Sequence, residues 1–470
     1  MKLKISSIVF LLALFVPFEV LILKYLPVSD TIYGYLRFAV EIVIYLLAGI
    51  MLLKYASRRK LPMGTPIDKP LEIFIGYALL ITAMNQAPLI QAFVGLRGLL
   101  RYIPLFYIMA MIPLDRKFTK QTFYALMVIG IIQGVVTTYQ HYFGIAGFWY
   151  PRASDLEIAG KQITYKLIAS GFGSGREMGA GIGTFGDSVP LALFMVIVFT
   201  VALASIQKRA GLLKRHRMNL LAVTGLTLLA IFFTYSRGSV LLAIAAVPII
   251  FYFTGGRKIV IAGSVALIIL ASPLVLSGLV GGSKSTGDYI NPKQKYTDPI
   301  SNITSVFTSA YLENTLQYSR GMVLTEIGGE LIGSVKLFGY GPAQEYALEK
   351  ATTEIFGTNI PINNLPIIND VYWVAFLVYY GIIGLFIYLF ILYKIFKSSV
   401  IVYRYTPDEY MKILGLAMAA IVIISIPYSF ILRTFLFRSF GFFFWLLAGM
   451  VVSEYRRLKM EGSLPLRYHI

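Results

Sequence analysis

The chain has no cysteine among its 470 residues, only three histidines and few acidic side chains. The absence of cysteine excludes disulfide bonds, thiolate metal sites and a cysteine nucleophile. The histidines, His141, His216 and His469, lack the spacing of metal ligands, so we expect no metal site. No Gly-x-Ser-x-Gly elbow is present. An enzyme with this sequence would therefore act by positioning its substrates and stabilising charge, without a covalent intermediate.

Charged residues are also scarce, at 14% of the chain against about 25% in soluble domains. Hydrophobic residues make up 57%, and the mean hydropathy is +0.73. Because a membrane span needs roughly 20 apolar residues, these values predict an all-α polytopic membrane protein with about twelve transmembrane helices. The predicted spans are 5–26, 33–53, 71–93, 98–114, 122–143, 188–206, 219–236, 239–254, 259–280, 371–396, 412–432 and 438–453. The first span reads as a retained helix, since no small-x-small cleavage site follows it.

The net charge is +19, and the distribution of the basic residues between the predicted spans predicts how the protein is oriented in the membrane. It gives no indication of nucleic-acid binding. With the N-terminus inside, roughly 25 of the 42 lysines and arginines fall in cytoplasmic segments, as the positive-inside rule requires. Both termini are then cytoplasmic, and the basic clusters contact anionic membrane lipids.

Seven arginines do not follow this rule and fall on the external side of the predicted membrane. They are Arg97, Arg101, Arg176, Arg237, Arg320, Arg433 and Arg438. Charge close to hydrocarbon is rare and indicates a functional site. The guanidinium group binds phosphate through paired donors, so these residues predict an external site for a phosphate-bearing ligand.

Three regions follow from the spans. Residues 1–280 hold the first nine helices and an external loop at about 144–187, and 371–470 hold the last three helices and a cytoplasmic tail. Between them, 281–370 form a large external loop. Within it, 311–337 shows apolar residues at helical spacing, which predicts amphipathic helices on the outer surface.

Two short segments could bind an anion. The glycine-rich stretch 173–187 contains Arg176 and could form an anion-binding nest, although a flexible external loop fits equally well. The turn 234–240 separates two spans and presents Arg237. Either it holds phosphate, with help from amides at the following helix start, or Arg237 reaches towards lipid headgroups.

Other candidates have the same two interpretations. Arg97 and Arg101 lie one turn apart at the predicted external start of a span, where they could face one ligand or anchor the helix. Arg320 lies on a predicted surface helix, which could also be an ordinary solvated face. Asp370 begins another span, where a carboxylate is favoured by the helix dipole but could also serve as a general base.

Four blocks between roughly 180 and 390 resemble the O-antigen polymerase and ligase superfamily of bacterial integral membrane glycosyltransferases. They are, in order, 183–187 (GTFGD); 236–238 (SRG); 319–320 (SR) with 339–342 (GYGP); and 369–372 (NDVY) with 381–384 (GIIG). The N-terminal third is similar to the family in hydropathy and in its Arg97/Arg101 pair. Each block is weakly specific, and their order and spacing together carry the resemblance.

The resemblance implies a site on the external face of the bacterial cytoplasmic membrane. There a glycan would pass from a polyprenyl diphosphate, usually undecaprenyl, to an acceptor hydroxyl, with inversion and without metal, nucleotide or other cofactor. Arg237 and Arg320, then Arg176, would stabilise the leaving diphosphate, and Arg97, Arg101 and Tyr372 would contact substrate. A separate chain-length regulator is a further partner that the family implies.

In one respect the chain departs from the family pattern. Ligases of this superfamily carry a His-Asn pair where this chain has Asn369 and Asp370. The difference favours a polymerase, in which another lipid-linked repeat unit is the acceptor and Asp370 takes or orients its proton. A ligase acting on lipid A core, protein or another acceptor stays open. So does a transporter of lipid-linked sugar, which should place charge nearer the membrane midplane.

Overall fold

The structure is a computed structural model that describes residues 5–57, 64–144, 149, 157–158, 161–162, 180–207, 217–256, 337–356, 371–430 and 432–465. The helices of these segments are α1 (Ile5–Phe15), α2 (Glu19–Lys24), α3 (Asp30–Leu36), α4 (Ala39–Ser57), α5 (Asp68–Met84), α6 (Leu89–Leu100), α7 (Ile103–Met111), α8 (Arg116–Phe143), α9 (Ser188–Ile206), α10 (Arg217–Phe233), α11 (Arg237–Thr254), α12 (Gln344–Phe356), α13 (Tyr372–Tyr405), α14 (Glu409–Tyr428) and α15 (Arg438–Met460). Short 3₁₀ turns, Val16–Phe18 and Thr434–Leu436, join α1 to α2 and precede α15. Two-residue strands, β1 (Glu157–Ile158) and β2 (Lys161–Gln162), pair antiparallel.

The helical, polytopic character predicted from the sequence is confirmed, but the number of spans is not. In the described part of the chain, seven helices are long and apolar enough to cross a membrane, or eight if the bent pair α6 and α7 is one span. Helices α5 and α10 each have 17 residues, the lower limit of a span. The predicted span 259–280 lies outside the described residues.

Helix α9 lies at the centre of the bundle. Its residues are apolar on all sides, and nearly every side chain from Leu191 to Ser205 is buried. A helix without a polar face must be surrounded by other helices or by lipid, and its burial shows that helices surround this one. Helices α10, α14, α11 and α15 pack around it.

Hydrogen bonds between helix ends show which ends lie together. Ser439 at the start of α15 donates to Pro190 at the start of α9. At the other end of the bundle, Ser453 of α15 donates to Ile112 after α7, and Thr254 at the end of α11 donates to Gln207 after α9. We call the first of these the arginine end, because Arg97, Arg101, Arg237, Arg433 and Arg438 lie there, and the second the opposite end.

Helix α13 is sharply bent. Gly381 interrupts it with a φ of 61° and a ψ of −173°. The rings of Trp373 and Tyr388 approach to 6.3 Å between centroids. A straight helix would separate the two residues by about 22 Å along its axis. The first arm, up to Tyr380, therefore lies beside the second.

A short irregular segment, 337–341, supplies hydrogen-bond partners to the backbone at this break, and we call it the bridging segment. Val378 and Tyr379 have lost their helical donors, and their carbonyls instead accept from Tyr340 N at 2.8 Å and Gly341 N at 2.9 Å. The Ile383 N–H donates in turn to a carbonyl of the bridging segment, 3.3 Å away. The GYGP block (339–342) therefore packs directly against the GIIG block (381–384) at the bend of α13.

Candidate functional site

The glycine loop, residues 180–186, is a buried loop at the arginine end. Two glutamines of α8 hold it. The Gln140 side-chain oxygen accepts from Ile182 N at 2.9 Å and Gly183 N at 2.8 Å, and its amide donates to the Gly183 carbonyl. Gln133 accepts from Thr184 N at 3.1 Å and donates to its hydroxyl. Buried backbone groups need such partners, so these amides fix the path of the loop.

The turn that carries Arg237 lies against the glycine loop. Gly181 N donates to Phe233 O over 2.8 Å, which joins the loop to the end of α10. Tyr235 then takes a φ of 56°, and Arg237 becomes the first residue of α11. The Arg237 side chain is half-buried. Two of the sequence blocks, far apart in the chain, are therefore neighbours.

Tyr428, at the end of α14, connects this turn to a third block. Its hydroxyl lies 3.4 Å from Ser239 Oγ, and a side chain at Gly238 would collide with its ring at 2.4 Å. The backbone carbonyl of the following residue, Ser429, accepts a hydrogen bond from the backbone N–H of Trp373 at 3.3 Å. The start of α11 and the start of α13 therefore both contact the end of α14, at Tyr428 and Ser429.

Tyr372, the first residue of α13, points into the core. Its side chain is 4% exposed, and its ring lies 5.0 Å from Trp373 and 5.9 Å from Phe435 between centroids. Phe435 belongs to the short turn before α15, which begins just after the half-buried Arg433. Arg433 and the beginning of α13 are thus parts of one region.

Arg97, Arg101 and Arg438 form a separate cluster around a buried carboxylate. Glu41 of α4 is hydrogen-bonded to Arg97 and lies 3.3 Å from Arg101 Nε and 3.7 Å from an Arg438 nitrogen. Arg438 also lies 3.4 Å from Glu19 and donates to a backbone carbonyl at the end of α3. We call these five side chains the Glu41 cluster.

The predicted position of Arg97 and Arg101 was wrong. The sequence placed them at the start of a span, but the helix begins at Leu89, after a turn in which Gln86 has a φ of 53°. Arg97 lies in the last turn of α6, and Arg101 lies at the junction with α7, where the axis bends by 46°. Both side chains therefore reach inward to Glu41.

Three predicted site residues, Arg176, Arg320 and Asp370, lie outside the described residues, as does all but the last residue of the predicted surface helices at 311–337. A different carboxylate, Asp187, follows the glycine loop and caps α9 by accepting from Val189 N at 2.9 Å. Its side chain is accessible, yet desolvation by the surrounding protein raises the pKa of its carboxyl above the usual value. His141 stacks on Phe233 with ring centroids 4.1 Å apart, in a packing role.

Four side chains of the candidate site were not predicted from the sequence: Gln133, Gln140, Glu19 and Glu41. All four are polar side chains inside apolar runs, and all are buried. Ionisable residues within spans are by default functional, so Glu19 and Glu41 carried a readable signal. The glutamines are seven residues apart, on one face of α8, and this spacing was the clue to their common partner.

A comparison with models of protein families finds no match for this sequence. A comparison with curated protein sequences likewise finds no match. The resemblance to membrane glycosyltransferases therefore depends on the sequence blocks. Of these blocks, 183–187, 236–238, 339–342, 371–372 and 381–384 lie in the described part of the chain.

Proposed function

We propose that this protein is a membrane glycosyltransferase that polymerises repeat units of a surface polysaccharide. The donor is a glycan on a polyprenyl diphosphate, and the acceptor is a sugar hydroxyl of another lipid-linked unit. The observation that supports this most is the meeting of separate blocks around the Arg237 turn. Gly181 binds Phe233 on one side, and Tyr428 with Ser429 links the turn to Trp373 on the other.

The reaction requires charge stabilisation at the leaving group. The acceptor oxygen forms a bond to the anomeric carbon as the bond from that carbon to the diphosphate oxygen breaks. The electron pair of the broken bond goes to the diphosphate, and the acceptor proton goes to a base. Arg237 is half-buried at the first turn of α11, where the helix dipole adds positive potential. Preorganised cations at such a position stabilise the charge that develops.

The base is a carboxylate in this proposal. In the sequence, Asp370 is two residues before the start of α13, and that helix start is connected to the Arg237 turn through Tyr428 and Ser429. A carboxylate accepts a proton readily from a hydroxyl held within hydrogen-bonding distance. Asp187 is a second carboxylate at the arginine end.

The positive-inside rule assigns the arginine end to the external face. The opposite end carries a set of short-loop cations: Lys54, Arg116, Lys117, Arg217, Arg404, Lys412, Arg456, Arg457 and Lys459. Such cations stay in the cytoplasm. Polymerisation would then take place outside the cytoplasmic membrane, with both termini inside. The charge of the site lies at helix ends, which favours an enzyme over a transporter with a midplane site.

The test compares two arginines that each begin a helix, at opposite ends of the bundle. Purified Arg237→Ala and Arg217→Ala variants would receive a synthetic polyprenyl-diphosphate repeat unit in lipid nanodiscs. We expect Arg237→Ala to release polyprenyl diphosphate about 10²- to 10³-fold more slowly, as for loss of one oxyanion contact. The Arg217→Ala variant should release polyprenyl diphosphate at the wild-type rate, because Arg217 lies at the opposite end of the bundle.

Normal release by a folded Arg237→Ala variant would remove this residue from the site. Release by the wild type only when a second kind of acceptor is added would indicate a ligase. Binding of the lipid without release under any condition would favour a transporter.

A further inference from the structure

The Glu41 cluster has an unusual construction, with its carboxylates beneath its guanidinium groups. The Glu41 side chain is 1% exposed and that of Glu19 8%. The three arginines keep between 21% and 29% of their side chains exposed. The acidic groups therefore fix the arginines from the buried side, and the cationic groups remain partly accessible.

The charges of the cluster do not balance. Three guanidinium groups face two carboxylates, and Arg37 also acts on Glu19 electrostatically. The Nε atoms of Arg101 and Arg438 are buried, as are the Oε1 atoms of Glu19 and Glu41, and none of the four has a hydrogen-bond partner in the part of the chain that the structure describes. These atoms interact through ion pairs, such as that of Arg101 Nε with Glu41 at 3.3 Å. An excess cation beside hydrocarbon is costly. An anion with several oxygens, such as a phosphate, would balance this charge at the exposed side of the guanidinium groups.

The surroundings indicate that this anion belongs to a lipid. Arg97 lies over the ring of Phe38, 5.1 Å from its centroid. Helix α6, which carries Arg97, also presents Leu89, Ile90 and Phe93, whose side chains are all more than two-thirds exposed. An isoprenoid chain can cover such a surface while its phosphates reach the arginines.

We propose that the Glu41 cluster is a second diphosphate site, which holds the lipid-linked acceptor, and that Glu41 is its positioning residue. This inference rests on the proposed function. A polymerase must bind two lipid diphosphates at once, one that leaves and one that stays attached. The glycine loop contacts the chain near both sites. Thr184 donates a hydrogen bond to Pro17, two residues before Glu19 of the Glu41 cluster. Gly181 donates to Phe233, which precedes the Arg237 turn.

The two sites should differ in their kinetics. The acceptor diphosphate keeps its charge throughout the reaction, so its contacts are equally strong in the ground state and the transition state. Contacts of that kind change KM and leave kcat alone. The Arg237 contact strengthens as the bond breaks, and its loss lowers kcat.

The experiment uses two modified substrates in nanodiscs. The donor has its acceptor hydroxyl blocked as a methyl ether, so that it can only donate. In the acceptor, a methylene replaces the oxygen that joins the anomeric carbon to the diphosphate, so that the diphosphate cannot leave. The same oligosaccharide as a free methyl glycoside serves as the acceptor without lipid. Wild type, Glu41→Gln, Arg97→Ala and the control Arg217→Ala are compared.

For Glu41→Gln and Arg97→Ala we expect KM for the lipid-linked acceptor to rise about 10- to 100-fold, the value of one charge-assisted hydrogen bond. Their kcat should stay within about threefold of the wild type. KM for the free glycoside should not change. A lower kcat at constant KM for the lipid-linked acceptor would overturn the proposal. An equal loss of activity with the lipid-linked acceptor and the free glycoside would also overturn it, and would indicate a purely structural cluster.

Three further outcomes are distinguishable. If Glu41→Gln fails to fold, Arg97→Lys decides, because it keeps the charge but loses the paired donors, and an unchanged acceptor KM would refute the site. If Arg97→Ala instead loses bound phosphatidylglycerol, measured by native mass spectrometry, while the acceptor KM is constant, the cluster binds ordinary headgroups. Absence of any transfer by the wild type would refute the proposed function itself.

Discussion

The break in α13 predicts a strong effect of a single methyl group. At Gly381 the φ of 61° and ψ of −173° lie in a region that is essentially restricted to glycine. An added Cβ would lie 2.5 Å from Leu337 O and 2.6 Å from Gly339 N. In Gly381→Ala the backbone must therefore leave this conformation, and the bridging segment must move away.

The expected loss has two parts. Strain of this kind costs about 1–3 kcal/mol. The three hydrogen bonds between the bridging segment and α13 contribute about 0.5–1.5 kcal/mol each. We therefore expect the free energy of unfolding to fall by about 2.5–7.5 kcal/mol, measured by titration with dodecyl sulfate in mixed micelles.

Two comparison variants separate the causes. Gly76→Ala on α5 meets nothing within 4 Å, so it should be neutral or slightly stabilising. At Gly339 an added Cβ would lie 2.3 Å from Tyr379 O, although its φ is not positive, so Gly339→Ala should lose the contacts without the strain. Equal stability of Gly381→Ala and Gly76→Ala would refute the role that we give to the bridging segment.

The remaining predictions concern the glycine loop and the base. Gln140→Leu leaves the buried N–H groups of Ile182 and Gly183 without an acceptor, so we expect the free energy of unfolding to fall by about 2–6 kcal/mol in the same titration. Gln121→Leu on the exposed face of α8 is the control, and an equal change in both variants would contradict the assignment. Asp370→Asn should lower kcat about 10²-fold or more while donor affinity stays constant, as measured by single-turnover transfer and lipid binding; unchanged kcat would exclude Asp370 as the base.

The helices of this protein were largely readable from the sequence because hydropathy is a local property. The expected spans at 188–206 and 239–254 agree with α9 and α11 within two residues at each end. Asp115 and Asp408 each cap a helix, as such residues commonly do.

The bends and pairings were not readable, because they depend on residues far apart in the chain. Gly381 was visible as part of a motif, but its conformation is stable only because the bridging segment supplies donors to Val378 and Tyr379. Glu41 was counted inside an apolar run, since its partners Arg97 and Arg101 lie more than 50 residues away. Averaging hydropathy over a window conceals one buried charge, and one charge decides the local structure.

The most direct test is to supply the purified protein with one lipid-linked repeat unit as the sole sugar substrate and to size the products by mass spectrometry. A polymerase must form a ladder of chains, each longer by one unit, because the same molecule serves as donor and acceptor. We predict that ladder, and we predict its loss in Arg237→Ala but not in Arg217→Ala. A wild-type protein that binds the lipid and leaves every unit unextended would contradict the proposed function.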